Sequence, residues 1–126
     1  MDTREAARRW ASEWCKAWIE HDCERVAALY APGAFFLSAP FRDPQEPRAY
    51  ALQAFGDEDA ADPAFGEPLV DADRAAVEWR AKIRSDGKDF TICGVSLLRF
   101  GEDGLCLEQR DVWEMCEGDL RRNDGP

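Results

Sequence analysis

One carboxylate of this chain lies where a strand pattern predicts a buried side chain. In segment 105–114, strict alternation places on one face of a strand Leu105, Leu107, Gln109, Asp111 and Trp113. The other charged residues of the segment fall on the opposite face. An unpaired buried carboxylate is costly, so proteins keep one where it has a partner or a use. Asp111 is therefore the candidate for acid/base chemistry, since burial raises the pKa of a carboxyl and makes it a better proton acceptor near neutral pH.

Two interpretations of Asp111 stay open. In the catalytic one, the carboxylate faces a pocket in which Gln109 and Ser96 orient a carbonyl group of the ligand. In the structural one, it is tied to a tyrosine, to a tryptophan N–H or to Arg42, because ion-pair networks also hold buried acids. Desolvation predicts a raised pKa for Asp111, whereas a charged or donor-rich partner predicts a lowered one.

Two predicted turns give Asp111 its neighbours. The Asp-Gly pair in segment 85–88 indicates a tight hairpin, which pairs Trp79 with Gly94 and Val77 with Ser96. Segment 101–104 then predicts a four-residue loop, which places Asp111 opposite Gly94 and Gln109 opposite Ser96. The predicted rows are thus Trp79–Gly94–Asp111 and Val77–Ser96–Gln109. A glycine in mid-strand indicates a close approach to the backbone, here a gap beside the carboxylate.

Aromatic side chains supply the expected wall of the pocket, where they would pack in the core and also contact an apolar ligand. Arg42 lies in a proline-rich loop that can rim the pocket mouth, where it would bind Asp111 or an anionic ligand. The predicted ligand-binding residues are Trp14, Arg42, Tyr50, Val77, Trp79, Gly94, Ser96, Gln109 and Trp113.

Composition argues against several function classes. The length of 126 residues and the 45% hydrophobic content predict one domain over residues 1–126, with a polar tail from about 117. A formal net charge of −10 argues against nucleic acid and anionic membrane surfaces, which need a basic footprint. No apolar run reaches membrane-spanning length. The expected partner is a small apolar organic ligand or another protein.

The cysteines and the single histidine do not form a predicted metal or cofactor site. The 5 cysteines show no C-x-x-C or Cys/His ligand spacing and are expected to be buried free thiols. His21 is expected to have a surface or capping role between two helices. Residues 1–5 lack the basic-then-apolar order of a secretory signal, so we expect a cytoplasmic location.

The hydrophobic pattern predicts helices first and a sheet after them. Helices are expected over about 3–20, from Asp22 through Tyr30, and from Pro47 to Phe55. A short buried strand is expected at 34–39, and the acidic stretch 56–63 is expected to be an exposed connection. Longer strands are predicted at about 64–72, 74–85, 88–100 and 105–115.

This order resembles the α+β cone of the nuclear transport factor 2 superfamily, in particular its SnoaL-like branch. The resemblance is carried by Trp14 and Trp18, and by segments 22–31, 75–80, 86–100 and 108–113. It implies N-terminal helices packed in a curved, mainly antiparallel sheet around a deep, mostly apolar pocket. Family members include isomerases, polyketide cyclases, epoxide hydrolases and proteins with no known chemistry, so the reaction must be argued from the site.

Two family chemistries lack their residues in this chain. The tyrosine and the two aspartates of ketosteroid isomerases match Trp14, Ser38 and Ser96. In limonene-epoxide hydrolases, one aspartate matches Asp111, but the arginine and the other aspartate fall on Val77 and Trp79. SnoaL-like cyclases need only one acid/base carboxylate in an apolar chamber, and the resemblance implies Asp111 for that role.

The sequence therefore favours a protein that binds a small apolar molecule, with isomerisation, cyclisation or hydrolysis through Asp111. The alternative is a non-catalytic ligand-binding or dimerisation module, and a protein-interaction domain is a third class. A homodimer is expected through the outer sheet face, because a central strand that is apolar on both faces is normally covered on both. The residues of that face are Val95, Leu97 and Val112.

Overall fold

The computed structural model describes residues 1–120. Over these residues the chain forms α1 (Thr3–Glu20), α2 (Cys23–Ala27), β1 (Tyr30–Leu37), α3 (Pro47–Gly56), β2 (Ala60–Phe65), β3 (Leu69–Asp71), β4 (Arg74–Ser85), β5 (Lys88–Phe100) and β6 (Cys106–Glu117). The expected α+β class is confirmed. No helix in this part of the chain is both long and apolar enough to cross a membrane.

The first helix begins and ends where capping groups are available. The side chain of Asp2 accepts a hydrogen bond from the backbone N–H of Glu5 at 2.8 Å, which satisfies a donor that has no partner inside the helix. The helix ends at His21, whose φ of 55° is left-handed and whose N–H donates to the carbonyl of Ala17. The buried face consists of Ala6, Ala7, Trp10, Ala11, Trp14 and Ala17.

The helices pack against a mixed sheet with the strand order β1-β6-β5-β4-β2, and β3 pairs with the edge of β4. β1 runs parallel to β6, and the other neighbours are antiparallel. The face of β4, β5 and β6 that meets α1 carries the core, because every second side chain of a strand points to the same side. We call this the concave face and the opposite one the convex face.

The first predicted register is confirmed and the second is wrong by two residues. The Asp86-Gly87 hairpin pairs Trp79 with Gly94, as expected. On the next pair of strands, however, Gly94 lies opposite Trp113, and Asp111 lies opposite a serine. The observed rows are Trp79–Gly94–Trp113 and Val77–Ser96–Asp111.

Two one-residue shifts account for this difference. The loop after β5 is longer than predicted, so Phe100 pairs with Cys106 rather than with the residue before it. A bulge at Leu107 then adds a second residue, so that Arg99 pairs with Glu108. Either shift alone would have moved Asp111 to the convex face, but together they keep it on the concave face.

Element boundaries differ where tertiary contacts outweigh local pattern. Tyr30 begins β1 rather than ending α2, because its backbone pairs with β6 and its side chain enters the core. The expected connection 56–63 instead contains the start of β2, an edge strand whose backbone pairs with β4. Three of the six side chains of β2 are exposed, so the acidic composition of the stretch 56–63 suits a sheet edge. The predicted tail from 117 lies largely outside the described residues.

Candidate functional site

A cavity of about 340 Å³ lies between the helices and the concave face of the sheet. Nine of the residues that line it are aromatic, because α1, α3 and the strands each turn large side chains inward. Among the predicted ligand-binding residues, the cavity is lined by Trp14, Arg42, Tyr50, Trp79, Ser96, Gln109 and Trp113. Asp111 also lines it and is only 7% exposed.

Asp111 is held by uncharged hydrogen-bond donors. Ser96 donates its hydroxyl to Oδ1 at 2.6 Å, and Gln109 donates its amide N–H to the same oxygen at 3.0 Å. The second oxygen, Oδ2, receives only a longer contact of 3.2 Å from the Gln109 amide. Oδ2 is therefore the oxygen with more capacity left for a ligand or a proton.

Tryptophans determine the direction of these hydrogen bonds, because an indole N–H can donate but not accept. Trp79 donates to the Ser96 hydroxyl at 2.9 Å, which leaves the serine proton for Asp111. On the other side, Trp10 donates to the Gln109 carbonyl oxygen at 3.1 Å. That oxygen is thereby used, so the Gln109 amide N–H groups point to Asp111.

Tyr30 extends the network on the helix side. Its hydroxyl accepts from Trp14 at 2.8 Å and from Trp10 at 3.3 Å, and it donates to the Gln109 carbonyl oxygen. Burial raises the pKa of Tyr30 well above its usual value, so this hydroxyl keeps its proton at ordinary pH. The chain of donors from α1 to the sheet therefore ends at the carboxylate of Asp111.

Burial dominates the pKa of Asp111 and raises it to about 7. The hydrogen bonds from Ser96 and Gln109 lower the pKa, but by less than burial raises it. The carboxyl thus changes protonation near neutral pH, where a general base or acid is most effective.

Arg42 does not pair with Asp111. Its guanidinium donates to the Ser38 hydroxyl at 3.2 Å and lies 5.3 Å from the ring centroid of Trp113. Trp113 in turn donates its indole N–H to the Ser38 carbonyl at 2.6 Å. Arg42 is therefore an exposed group at the rim of the cavity, and the possibility that it neutralises Asp111 is wrong.

Val77 and Gly94 lie beneath the site and are not among the cavity-lining residues. Val77 is fully buried. A Cβ added at Gly94 would come within 2.7 Å of the Val112 carbonyl oxygen and within 2.8 Å of the Trp79 ring. The glycine therefore lets the Trp79 ring and the Cβ of Trp113 approach its backbone closely, and it leaves no gap for a ligand.

Sequence reasoning missed Glu58, Trp18 and Trp10 as cavity-lining residues. Trp18 and Trp10 follow from the apolar stripe of α1, and the helical spacing could have assigned them to the wall. Glu58 had no such signal, because acidic residues surround it and its burial depends on how α3 meets β2. Among residues 1–120, no group of three or more His, Cys, Asp or Glu side chains is placed to hold a metal ion.

Comparisons with known proteins agree with this architecture. A family model described as a SnoaL-like domain matches residues 11–109. No curated protein matches the chain. Among solved structures, the epoxide hydrolase/cyclase-like enzyme SalBIII, described in pyran ring formation in the polyether salinomycin, is similar with a TM-score of 0.78 and 15% identity, covering 94% of this chain and 100% of that one.

Two mycobacterial structures are also similar. The Rv0760c protein of Mycobacterium tuberculosis has a TM-score of 0.71 and 18% identity, covering 94% of this chain and 100% of its own. An LEH-like epoxide hydrolase of M. tuberculosis has a TM-score of 0.70 and 13% identity, covering 88% and 84%. At such identities the likeness shows the fold alone.

Proposed function

The chain belongs to the SnoaL-like domain family, and from that premise we propose that it binds a small, largely apolar organic molecule and acts on it through Asp111 as a general acid/base. The observation that carries this proposal is the position of Asp111, a buried carboxyl with a pKa of about 7 in the wall of an aromatic cavity. The cavity volume of about 340 Å³ falls at the lower end of the range for small-molecule sites.

The arrangement suits proton transfer to and from carbon or oxygen. The network holds Asp111 in one orientation without a cation, so the carboxylate keeps its basicity while its geometry is restricted. Isomerisation, cyclisation and hydrolysis each need such a group. The side chains of Gln109 and Ser96 already donate hydrogen bonds to Asp111. We therefore assign them to positioning Asp111 rather than to binding a ligand carbonyl.

Tyr50 is the better candidate for binding a ligand oxygen. Its ring lines the cavity, and its hydroxyl makes no hydrogen bond with the residues that the structure describes. Burial and the nearby Asp111 raise the pKa of Tyr50 to about 12, so the hydroxyl stays protonated and can donate.

A carbon-acid probe tests the acid/base role directly. The isoxazole ring of 5-nitrobenzisoxazole opens when a base removes its C–H proton, and the nitrophenolate product absorbs visible light. We expect Asp111→Asn to lower kcat/KM for this probe by about 10²- to 10⁴-fold, while Glu114→Gln on the convex side of β6 leaves it unchanged. Equal rates in the wild type and in Asp111→Asn would refute the proposal.

A non-catalytic binding module is the second candidate, because among residues 1–120 the two side chains that donate to Asp111, Ser96 and Gln109, are themselves buried between the sheet and α1. In that case Asp111→Asn would bind apolar ligands as well as the wild type does, and carboxyl-carbon NMR would show an ordinary or lowered pKa for Asp111. A raised pKa together with lost turnover supports the enzyme.

We further propose a homodimer through the convex face. Leu97 and Val112 are 48% and 55% exposed, and Val95 pairs with Val112 between them. Glu108 and Arg110 border this apolar strip with opposite charges. Opposite charges around an apolar centre suit an isologous contact, in which the same patch meets itself across a twofold axis.

We place residues 1–126 in one domain, since the core cluster is continuous from α1 to β6. We also propose a cytoplasmic location. The expectation that the five cysteines are buried is wrong for all but Cys106, but all five are free, which suits a reducing compartment.

A further inference from the structure

A second carboxyl lines the same cavity. Glu58 lies in the connection between α3 and β2, and its side chain is only 10% exposed. Its two oxygens accept from the Trp18 indole N–H at 3.0 and 2.9 Å. The acid is therefore turned inward against α1, although the residues on either side of it in the chain are exposed.

No lysine or arginine among residues 1–120 forms an ion pair with Glu58. Among the described residues its basic partner is His21, whose Nε2 lies 3.5 Å from Oε2 of Glu58. This nitrogen makes no hydrogen bond with the described residues, and the imidazole ring stacks on Phe55 with centroids 5.2 Å apart. The His21 side chain is about a quarter exposed, so its ring contacts both Glu58 and the solvent.

The environment of Glu58 resembles that of Asp111 in one respect. Burial is the main cause that raises its pKa to about 7, and the neighbouring Asp57 adds to the rise, whereas the Trp18 hydrogen bond opposes it. Both the protonated and the ionised form are thus accessible near neutral pH. A carboxyl without a lysine or arginine partner can then serve as a proton donor.

Two tryptophans in contact with each other connect Glu58 to the partners of Asp111 along one wall of the cavity. The rings of Trp18 and Trp79 lie edge to face, with centroids 5.9 Å apart. Trp18 donates to Glu58, and Trp79 donates to the serine that donates to Asp111. The two acids do not contact each other, so an apolar molecule lying along this wall can meet one carboxyl at each end.

We propose that Glu58 is a second catalytic residue of this cavity, a general acid that works opposite the base Asp111, and that His21 returns its proton from solvent. The inference rests on the proposed function of Asp111. It assigns a substrate class: a small apolar molecule with an acidic C–H at one end and, at the other, an oxygen that departs when the adjoining bond breaks.

Over one turnover the protein releases one proton to solvent and takes up one. The Asp111 carboxylate takes the C–H proton, and the pair of that bond forms a new multiple bond. The bond to the departing oxygen breaks with its pair on oxygen, and that oxygen takes the proton of Glu58. Asp111 then releases its proton to solvent as the product leaves, and Glu58 regains one through His21. The step needs no oxidant, reductant or further reactant.

Two probes that differ in leaving-group acidity test the role of Glu58. The phenolate that leaves from 1,2-benzisoxazole is more basic than that from its 5-nitro derivative, so it depends more on a proton donor. We expect Glu58→Gln to lower kcat/KM for 1,2-benzisoxazole about tenfold more than for the nitro compound. Asp59→Asn, an exposed neighbour outside the cavity, should change neither rate.

The outcomes separate the two proposals. Equal losses on both probes in Glu58→Gln would mean a structural role and overturn this inference, while a lost rate in Asp111→Asn would still support the first proposal. No loss in Asp111→Asn would overturn both. Glu58→Asp keeps a titratable carboxyl and is a second variant should the glutamine not fold; it should retain part of the difference between the probes, and equal losses would again overturn the inference.

The part assigned to His21 has its own readout. Asparagine tolerates the left-handed backbone at this helix end, so His21→Asn removes the imidazole without straining the cap. We expect kcat for 1,2-benzisoxazole to fall several-fold in dilute buffer and to recover when imidazole is added. An unchanged kcat, or a loss that imidazole does not restore, would exclude His21 from the proton path.

Discussion

Two carboxylates on β6, three residues apart, face opposite sides of the sheet and differ in their electrostatics. Glu108 accepts from the Nε of Arg110 at 2.8 Å and from the Nε of Arg99 at 3.3 Å, and these partners lower its pKa. Within residues 1–120, Asp111 accepts only from uncharged donors inside the cavity, and burial raises its pKa to about 7. One strand thus presents a salt-bridged acid to water and a proton-exchanging acid to the cavity.

The difference shows how a fold can hold a carboxylate in place without removing its basicity. A guanidinium fixes an acid by charge and stabilises its ionised form. Hydroxyl, amide and indole donors fix the geometry, and burial then outweighs their effect on the pKa. The concave face uses the second arrangement for Asp111, and packing on that face must therefore stay tight enough to exclude water.

The largest expected effect tests that packing. Gly94→Ala should lower the free energy of unfolding by about 3 kcal/mol, since the added Cβ would meet the Val112 carbonyl and the Trp79 ring. Cys93→Ala, the next residue on the exposed convex face, should change it little. Urea denaturation of both variants measures the difference, and a wild-type midpoint for Gly94→Ala would contradict the account of this close approach.

A charge on the convex strip should act on association rather than on the cavity. Val95→Arg would place an unpaired guanidinium in the proposed dimer contact, and we expect at least a hundredfold weaker dimer, or about 2.7 kcal/mol. Sedimentation at tens of micromolar should show a shift from dimer to monomer, with the probe activity per chain retained. A monomeric wild type under these conditions would remove the dimer proposal.

The stability contributions of the acids on the two faces of the sheet should depend on pH in opposite directions. The pKa of Asp111 is raised in the folded state to about 7, above an unfolded value of about 3.9, so the folded state binds more protons between these values. The wild type should therefore lose stability from pH 5 to pH 7, and Asp111→Asn should lose about 2 kcal/mol less. Glu58 titrates in both proteins, so its contribution cancels. Parallel pH profiles would mean that Asp111 has an ordinary pKa.

The smallest effect is expected on the convex face. The pKa of Glu108 is lowered in the folded state, so its contribution to stability is present above the unfolded pKa and is lost as pH falls. Because the pair is partly exposed, Glu108→Gln should cost less than about 1 kcal/mol at neutral pH. Urea denaturation in low and high salt would check this. A loss of stability as large as that of Gly94→Ala would show that the ion pairs of Glu108 stabilise the fold as strongly as the packing around Gly94 does.

From Gln109 to Trp113 the side chains of β6 could be assigned to faces from the sequence, because alternation is a local property. The assignment is wrong before the bulge, where Leu105 and Leu107 were expected on the buried face and are only partly buried, while Cys106 between them is fully buried. Asp111 was expected on the buried face and lies there. Its row was predicted wrongly, because loop length and the bulge at Leu107 depend on how β5 and β6 twist against each other. The partnership with Ser96 rather than Gly94 could not be derived from alternation alone.

The sequence by itself determined the helical stripe of α1, the Asp86-Gly87 hairpin and the inward aspartate, because helical period, turn chemistry and strand alternation act over a few residues. Only the tertiary structure decided which neutral donors hold Asp111, that Arg42 lies at the rim, and that Glu58 joins the cavity from an acidic connection. These features depend on contacts between residues far apart in the chain, where the energy of burial outweighs local propensity.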